Sequence, residues 1–135
     1  LLEQGWSVIA GGGGGIPVIR DASGYLVGVE AVIDKDRLSA LLAAQLGAEL
    51  YIILTGVEKV AVDFGKPTQV NLDRITATEA RRHLAEGQFP AGSMGPKIES
   101  ALAFIDGGGQ EVLITTPEAL KSQDPTTVGT RIVRG

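Results

Sequence analysis

The chain has 135 residues, of which 44% are hydrophobic and 21% charged, and its formal net charge at pH 7 is −4. These proportions are ordinary for one soluble globular domain, and the charge gives no electrostatic basis for binding nucleic acid or acidic membranes. The sequence has no cysteine, which excludes disulfides and thiolate metal sites and fits a cytoplasmic protein. No apolar run has the length needed to span a bilayer.

The start of the chain predicts that it is part of something longer. The only methionine is Met94, and residues 1–5 are typical of the last turn of a helix closed by a glycine. We therefore expect a fragment or a processed product, whose function has to be considered together with that of its parent protein.

The first third of the chain predicts a strand, a glycine loop, a hairpin and a helix. Residues 6–10 form a short apolar strand candidate that runs into five glycines at 11–15. Residues 16–19 and 25–27 flank turn-forming residues and predict a hairpin. Residues 34–46 predict an amphipathic helix, ended by glycine, whose core-facing side would carry the leucines Leu38, Leu41, Leu42 and Leu46.

The middle of the chain predicts a buried strand and a capped helix. Residues 50–54 are apolar throughout, as in a strand buried on both faces of a parallel sheet. Residues 60–62 and the turn that follows them predict a small β excursion. The sequence Thr-Ala-Thr-Glu at 76–79 matches a capping box and predicts a helix to about Glu86.

The last third predicts one more helix and two more strands. A helix begins near Pro96 and ends at the glycines 107–109, and strands are predicted at 111–115 and 130–133, with a helical turn at 117–121 between them. Strands that alternate with helices predict an α/β fold, a three-layer αβα sandwich around a mostly parallel sheet.

The most informative residue is Lys97, a lysine where helix electrostatics would not place one. If Pro96 opens the helix, Lys97 lies in its first turn, at the positive end of the helix dipole, where a cation is mildly disfavoured. A bound anion would remove this penalty, since free backbone N–H groups and the ammonium group would face it together. The alternative is a solvated lysine whose long side chain points away from the helix end.

The glycines at 11–15 are the second candidate. Apolar strand-like residues on both sides argue against a flexible linker, and a glycine run at the end of a strand lets backbone amides approach a ligand closely. Since Ile16 and Pro17 follow, the run does not match a dinucleotide fingerprint or a Walker loop. A tight turn without a ligand is the alternative.

Two further stretches carry candidate chemistry. Asp34 and Asp36 would be explained by helix capping alone, but Lys35 between them could be held toward a phosphate group. The turn at 55–59 follows the most apolar strand, the location where open α/β sheets bind ligands. We expect Lys59 in that turn to be solvated. His83 is the only histidine and has no evident nucleophile partner, so a surface position is expected.

Four motifs in this order resemble carbamate kinase, of the amino acid kinase family. They are GGGGIPV at 12–18, EAVIDKD at 30–36, LTGVEKV at 54–60 and GQFPAGSMGPK at 87–97. The resemblance covers about residues 5–133 but only the C-terminal part of the family's fold. It implies that residues 1–135 are the C-terminal nucleotide-binding portion of a single domain whose N-terminal half is absent.

The resemblance also implies roles for particular residues. Lys35 and Lys97 would contact phosphate and stabilise the transferring group, and Asp36 would hold them in place. The residues implied to line the nucleotide site are Thr55, Gly56, Val57, Met94, Gly95 and Pro96. The residues implied to face the substrate phosphoryl group are Gly11, Gly12 and Gly13. No acidic residues show metal-ligand spacing, so Mg²⁺ would be bound through ATP or ADP.

The implied reaction is the reversible phosphorylation of carbamate by ATP, which gives ADP and carbamoyl phosphate. The resemblance also implies that the full-length protein acts in arginine metabolism and is a cytoplasmic homodimer. Since the absent half would carry another phosphate loop and most of the carbamate pocket, we expect this chain alone to bind nucleotide weakly and to be inactive. Two alternatives stay open: a related kinase with another acceptor, and a non-catalytic nucleotide-binding module.

Overall fold

A computed structural model describes residues 1–122 and 127–135 of the chain. The described helices are α1 (Lys35–Gln45), α2 (Ala77–Ala85) and α3 (Met94–Asp106), with short 3₁₀ turns at Leu2–Gln4 and Ala119–Lys121. The described strands are β1 (Val18–Arg20), β2 (Leu26–Gly28), β3 (Leu50–Leu54), β4 (Ala61–Val62), β5 (Val70–Asn71), β6 (Arg74–Thr76), β7 (Glu111–Thr115) and β8 (Thr130–Val133). None of the described helices combines the length and the apolar character needed to cross a membrane.

The central sheet has four strands in the order β3-β7-β8-β6. The pairs β3–β7 and β6–β8 are parallel, whereas β7 and β8 run antiparallel. The strands β1 and β2 form one separate antiparallel hairpin and β4 and β5 another. The predicted α/β class with a mostly parallel sheet is therefore confirmed, and so is the hairpin early in the chain.

The hydrophobic core lies between one face of this sheet and the three helices. Strand residues at matching register positions supply one side of the core: Tyr51, Ile53, Ile75, Val112, Ile114 and Ile132. The other side comes from all three helices, with α3 as the central one because it packs against both α1 and α2. Within the described residues the helices thus form one layer on one face of the sheet.

The opposite face of β3 is bare. Tyr51 and Ile53 are buried, but Leu50, Ile52 and Leu54 are exposed. The prediction that this strand is buried on both faces is wrong for this chain, because β3 is an edge strand and no described element covers its second face. The apolar run is nevertheless the expected signature of a strand that is covered on both sides.

The predicted strand at residues 6–10 is also absent. These residues have no regular structure and are exposed, since no described strand lies beside them to complete a hydrogen-bonded ladder. Strand formation at 6–10 depends on a partner, which local sequence does not supply.

Helix α1 has the predicted bounds, with Asp34 as its N-cap, but it does not bury the predicted side. Leu41, Leu42 and Leu46 are exposed and Leu38 is half-buried, whereas Ala40 is buried against α3. The two helices approach so closely that a methyl group on Gly107, just after α3, would lie 2.9 Å from Cβ of Ala44. Such an approach requires small residues at the contact, and this requirement outweighs the leucine pattern.

The two other helices follow the sequence closely. The capping box of α2 is complete, because the Thr76 hydroxyl accepts from the Glu79 amide and the Glu79 carboxylate accepts from the Thr76 amide. Helix α3 begins at Met94, two residues earlier than predicted, so Pro96 occupies the third helical position. Proline is tolerated throughout the first turn, and Lys97 remains beside that turn.

Candidate active site

Two lysines on different helices meet at one carboxylate. The Lys97 Nζ atom lies 2.9 Å from the Asp36 Oδ2 atom, and the Lys35 Nζ atom lies 3.5 Å from that same oxygen. Asp36 is only 8% exposed and the Lys97 side chain 14%, whereas the Lys35 side chain is largely exposed. The residues predicted to be catalytic thus form one group, called here the lysine–aspartate cluster (Lys35, Asp36, Lys97).

The first turn of α1 places two members of this cluster. The Asp34 carboxylate caps the helix by accepting from the backbone amides of Asp36 (2.9 Å) and Arg37 (3.2 Å). These bonds, that of Arg37 foremost, hold the pKa of Asp34 below its ordinary value. Because the cap is satisfied by Asp34, the carboxylate of Asp36 is free to turn inward toward α3.

The first turn of α3 places the third member. The N-cap Ser93 makes no side-chain capping bond, and the first turn of α3 contains no acidic residue. The nearby negative charge comes from Asp36 of α1, which pairs with Lys97 and so offsets the cost of a cation near the positive end of α3. The carboxylates of Asp34 and Asp36 balance the two ammonium groups, so the N–H groups at the start of α3, which has no side-chain cap, are what suits this site to a phosphate group.

A second ion pair links the same two helices. The Arg37 Nη2 atom donates to the Glu99 carboxylate at 3.0 Å, but both side chains are well exposed. Such exposed pairs contribute little to stability. The buried contact that supports α1 comes from β3 instead, where the Tyr51 hydroxyl donates to the backbone carbonyl of Asp36 at 3.1 Å.

The glycine loop packs against the beginning of α1. The amides of Gly14 and Gly15 both donate to the carbonyl of Gly11, which closes a tight turn. A methyl group on Gly11 would lie 2.9 Å from the Leu38 side chain, and one on Gly14 would lie 2.0 Å from the Ile33 carbonyl oxygen. The predicted loop residues Gly12 and Gly13 face open space, as a surface available to a ligand would.

A cavity of about 150 Å³ opens beside the first turn of α3. It is called here the Phe89 cavity and is lined by Thr55, Ala61, Phe64, Gln88, Phe89, Pro90, Ser93 and Met94. The cavity brings together the end of β3 and the start of α3, and therefore two of the predicted nucleotide-site residues, Thr55 and Met94. Lys97 lies three residues after Met94, which corresponds to about 4.5 Å along the helix axis.

The other predicted nucleotide-site residues lie outside this cavity. Gly95 and Pro96 form the helical turn behind Met94, and Gly95 approaches the Pro90 carbonyl so closely that its amide donates to it at 2.9 Å. Val57 lines a different cleft, together with Lys59 and residues of β5, and Gly56 precedes it in the turn. The structure therefore separates the six residues into a cavity group, a helix group and a turn group.

Phe64, Gln88 and Phe89 were not singled out by sequence reasoning. Gln88 and Phe89 belong to the motif at 87–97, so the motif contained a signal for them. Phe64 had none, because the β4–β5 hairpin brings it to the cavity only after folding. Gln88 also supports this hairpin, since its side-chain oxygen accepts from the Asp63 amide at 2.9 Å.

Two weaker candidates have structural explanations. Lys59 forms an ion pair with Asp73, and the hydrogen bond to that carboxylate raises the pKa of Lys59; it is paired rather than simply solvated. His83 is partly buried rather than on the surface, with its ring edge-on to Phe89 and its Nδ1 atom 3.3 Å from Glu86. Among the described residues, no three His, Cys, Asp or Glu side chains converge to hold a metal ion.

The chain is similar to proteins of one family over nearly its whole length. The sequence profile of the amino acid kinase family matches residues 1–116. The carbamate kinase-like protein YahI of Escherichia coli is 50% identical over 134 residues, which are 99% of this chain and 42% of YahI. The carbamate kinase of Thermoplasma volcanium is 48% identical over 98% of this chain and 43% of its own length.

Solved structures show the same relationship. The carbamate kinase of Giardia lamblia bound to AMP-PNP superposes with a TM-score of 0.84 at 36% identity, over 91% of this chain and 39% of that one. An Aeropyrum pernix protein superposes with a TM-score of 0.81 at 43% identity, over 90% of this chain and 39% of its own. The chain thus spans less than half the length of the relatives it matches.

Proposed function

Since this chain belongs to the amino acid kinase family, we propose that the longer protein containing it is a carbamate kinase. The reaction transfers the γ-phosphoryl group of ATP to carbamate, giving ADP and carbamoyl phosphate, and it is reversible. The observation that carries this proposal is the lysine–aspartate cluster, which places two ammonium groups at the starts of α1 and α3, while Met94 in the first turn of α3 lines the Phe89 cavity.

The chemistry needs positioned charge rather than a covalent intermediate. A carbamate oxygen attacks the γ-phosphorus, and the bond from that phosphorus to the bridging oxygen of ADP breaks in line with the attack. Lys35 and Lys97 stabilise the charge on the transferring group, and Asp36 holds both ammonium groups in place. Gly11, Gly12 and Gly13 offer a backbone surface that can approach the phosphoryl group closely.

The Phe89 cavity is the proposed site of the nucleotide base. Phe64, Phe89 and Met94 give it apolar walls, and Thr55, Gln88 and Ser93 supply polar groups, the combination that small-molecule sites commonly have. Gly56, Val57, Gly95 and Pro96 are proposed to shape the same nucleotide site from the turn after β3 and the first turn of α3.

Mg²⁺ is proposed to arrive with the nucleotide. The Asp36 oxygen nearest the two lysines is already shared between them, and no cluster of metal-ligating side chains converges in the described parts of the chain. Mg²⁺ commonly keeps few protein ligands and is held through substrate phosphates, where it neutralises their charge. The residues of the lysine–aspartate cluster are therefore compatible with a Mg²⁺ ion that is bound through the phosphates of ATP or ADP.

Further proposals concern the longer protein. We propose that it is a cytoplasmic homodimer that acts in arginine metabolism, as the resemblance of its motifs to carbamate kinase implies. The 135-residue chain by itself is expected to bind MgADP weakly and to turn over little or nothing, because it spans only 42–43% of the length of those relatives.

The test is ATP formation from carbamoyl phosphate and MgADP by the longer protein. We expect activity in the wild-type protein and a fall of at least 100-fold in Lys97→Ala, since a positioned charge at a developing anion contributes several kcal/mol. Lys121→Ala is the matched control, because Lys121 is exposed on the helical turn after β7 and lies outside the cluster. Full activity of Lys97→Ala would refute the assigned role.

The two alternatives give different results in this assay. If the wild-type protein binds ADP and phosphorylates another acceptor but does not use carbamoyl phosphate, it is a different kinase of the same family. A protein that binds ADP without any turnover is a nucleotide-binding module. The buried charges of Asp36 and Lys97 argue against the module, because a scaffold does not require them.

A further inference from the structure

Tyr51 contacts both helices that carry the proposed catalytic lysines. Its hydroxyl donates to the Asp36 carbonyl in α1 at 3.1 Å, and its ring lies edge-on to Phe104 of α3, with ring centroids 5.5 Å apart. Asp36 is at the same time the residue that holds Lys97. One side chain of β3 therefore contacts both the first turn of α1 and the middle of α3 from the sheet side of the helices.

The hydroxyl is the unusual part of this contact. The rest of β3 is aliphatic, and an aliphatic or phenylalanine side chain would fill the core equally well without adding a buried polar group. The hydroxyl donates to the backbone of a cluster residue, Asp36, and it also interacts with the Ser39 side chain of the same helix. Core filling explains the ring but leaves the hydroxyl unexplained.

We propose that Tyr51 is a positioning residue for phosphoryl transfer. Its hydroxyl fixes the first turn of α1 in the position at which the Asp36 carboxylate contacts Lys97. The proposal rests on the proposed function of the same site. Tyr51 touches no substrate itself and acts through Asp36, whose carboxylate sets the positions of both lysines. A displacement of the α1 turn by a fraction of an ångström would misplace two charges at once.

The hydroxyl keeps its proton under all ordinary conditions. Burial raises the pKa of Tyr51 to about 12, and the negative charge of Asp36 adds to this effect. Tyr51 is therefore a permanent donor to the carbonyl, so the position of the α1 turn does not depend on pH in the physiological range.

The test compares the longer protein with its Tyr51→Phe variant, which keeps the ring and removes the hydroxyl. We expect the kcat of ATP formation to fall about fivefold, as the loss of one buried hydrogen bond implies. The MgADP affinity should fall by a similar factor, while the adenosine affinity, which does not involve the phosphate-binding lysines, stays within twofold. Tyr25→Phe is the matched control, because Tyr25 is exposed in the turn between β1 and β2.

A second comparison separates positioning from general stability. In an Asp36→Asn background the Tyr51→Phe effect should shrink to less than about twofold, because the carboxylate through which Tyr51 acts on both lysines is gone. Phe104→Leu disturbs the ring contact without touching the hydroxyl, and it should lower the thermal midpoint while leaving the ratio of ADP to adenosine affinity unchanged.

The outcomes separate the two proposals. An active wild-type protein whose Tyr51→Phe variant keeps its kcat and its affinity ratio overturns the positioning role alone. Equal losses of ADP and adenosine affinity, or an undiminished effect in the Asp36→Asn background, also overturn it, because both indicate a purely structural role. A wild-type protein that neither makes ATP nor binds MgADP overturns the proposed function and this inference together.

Discussion

Asp36 is the residue on which the contacts of the site converge. Its carboxylate accepts from Lys97 and lies near Lys35, its carbonyl accepts from Tyr51, and its amide donates to the N-cap Asp34. The carboxylate is mostly buried, so water screens its ion pair with Lys97 far less than it screens a surface pair. Asp36 should therefore contribute to stability as well as to chemistry.

We expect Asp36→Asn to lower the free energy of unfolding by about 1.5–3 kcal/mol, the range for hydrogen bonds to charged groups. It leaves the partly buried Lys97 ammonium without its anion. Arg37→Gln is the matched control, since it breaks the ion pair between Arg37 and Glu99, which links the same two helices. The Arg37 side chain is 68% exposed, so this substitution should lower the free energy of unfolding by less than about 1 kcal/mol. Urea denaturation measures both; equal losses would contradict the difference in burial.

At the scale of elements, the glycine loop shows which glycines the fold needs. Gly14 has a φ of 148° and is buried against the Ile33 carbonyl oxygen, whereas Gly13 has no such constraint and faces open space. The loop is closed by hydrogen bonds to the Gly11 carbonyl, and its Gly14 packs against Ile33, just before α1. Its geometry therefore helps to fix the approach to the first turn of α1.

Gly14→Ala should lower the thermal midpoint markedly, because the added methyl group would meet a backbone oxygen at 2.0 Å, at a backbone angle that side chains rarely adopt. Gly13→Ala adds the same methyl group to an unhindered position and should leave the midpoint almost unchanged. Thermal unfolding followed by circular dichroism compares the two variants. Similar midpoints for both would mean that the Gly14–Ile33 contact is not maintained in solution.

Across the described residues, many large apolar side chains are exposed. Leu50, Ile52 and Leu54 are exposed on β3, and most apolar residues before α1 are exposed as well. β3 is in addition an edge strand with unpaired backbone groups on its outer side. Exposed apolar side chains and edge strands favour association.

We expect the 135-residue chain by itself to bind an apolar dye and to associate as its concentration rises. Two neighbouring residues of β3 form a matched pair, because Ile52 is 40% exposed and Ile53 only 4%. Ile52→Thr should reduce association with little loss of stability, whereas Ile53→Thr should destabilise the fold. Sedimentation velocity and dye fluorescence measure these effects; a monomeric chain without dye binding would contradict the prediction.

Features that depend on residues close together in the chain could be predicted from the sequence. The capping box at Thr76 and Glu79, the end of α3 at Gly107 and the place of Lys97 near the start of that helix follow from local rules, because backbone conformation and capping involve neighbours within one turn. The motifs also indicated the family. The roles assigned to Lys35, Asp36 and Lys97 stay predictions, although the structure brings the three together.

Which surfaces meet could be seen only in the folded chain. The close contact of α1 with α3 selects Ala40 and Ala44 and leaves Leu41 and Leu46 outside, although the leucines are more hydrophobic. The same packing brings the Tyr51 hydroxyl to Asp36, a contact between residues 15 positions apart that no local pattern announces. Burial depends on the packing of two surfaces against each other. A sequence pattern therefore identifies the apolar residues but does not predict which of them are packed against another element.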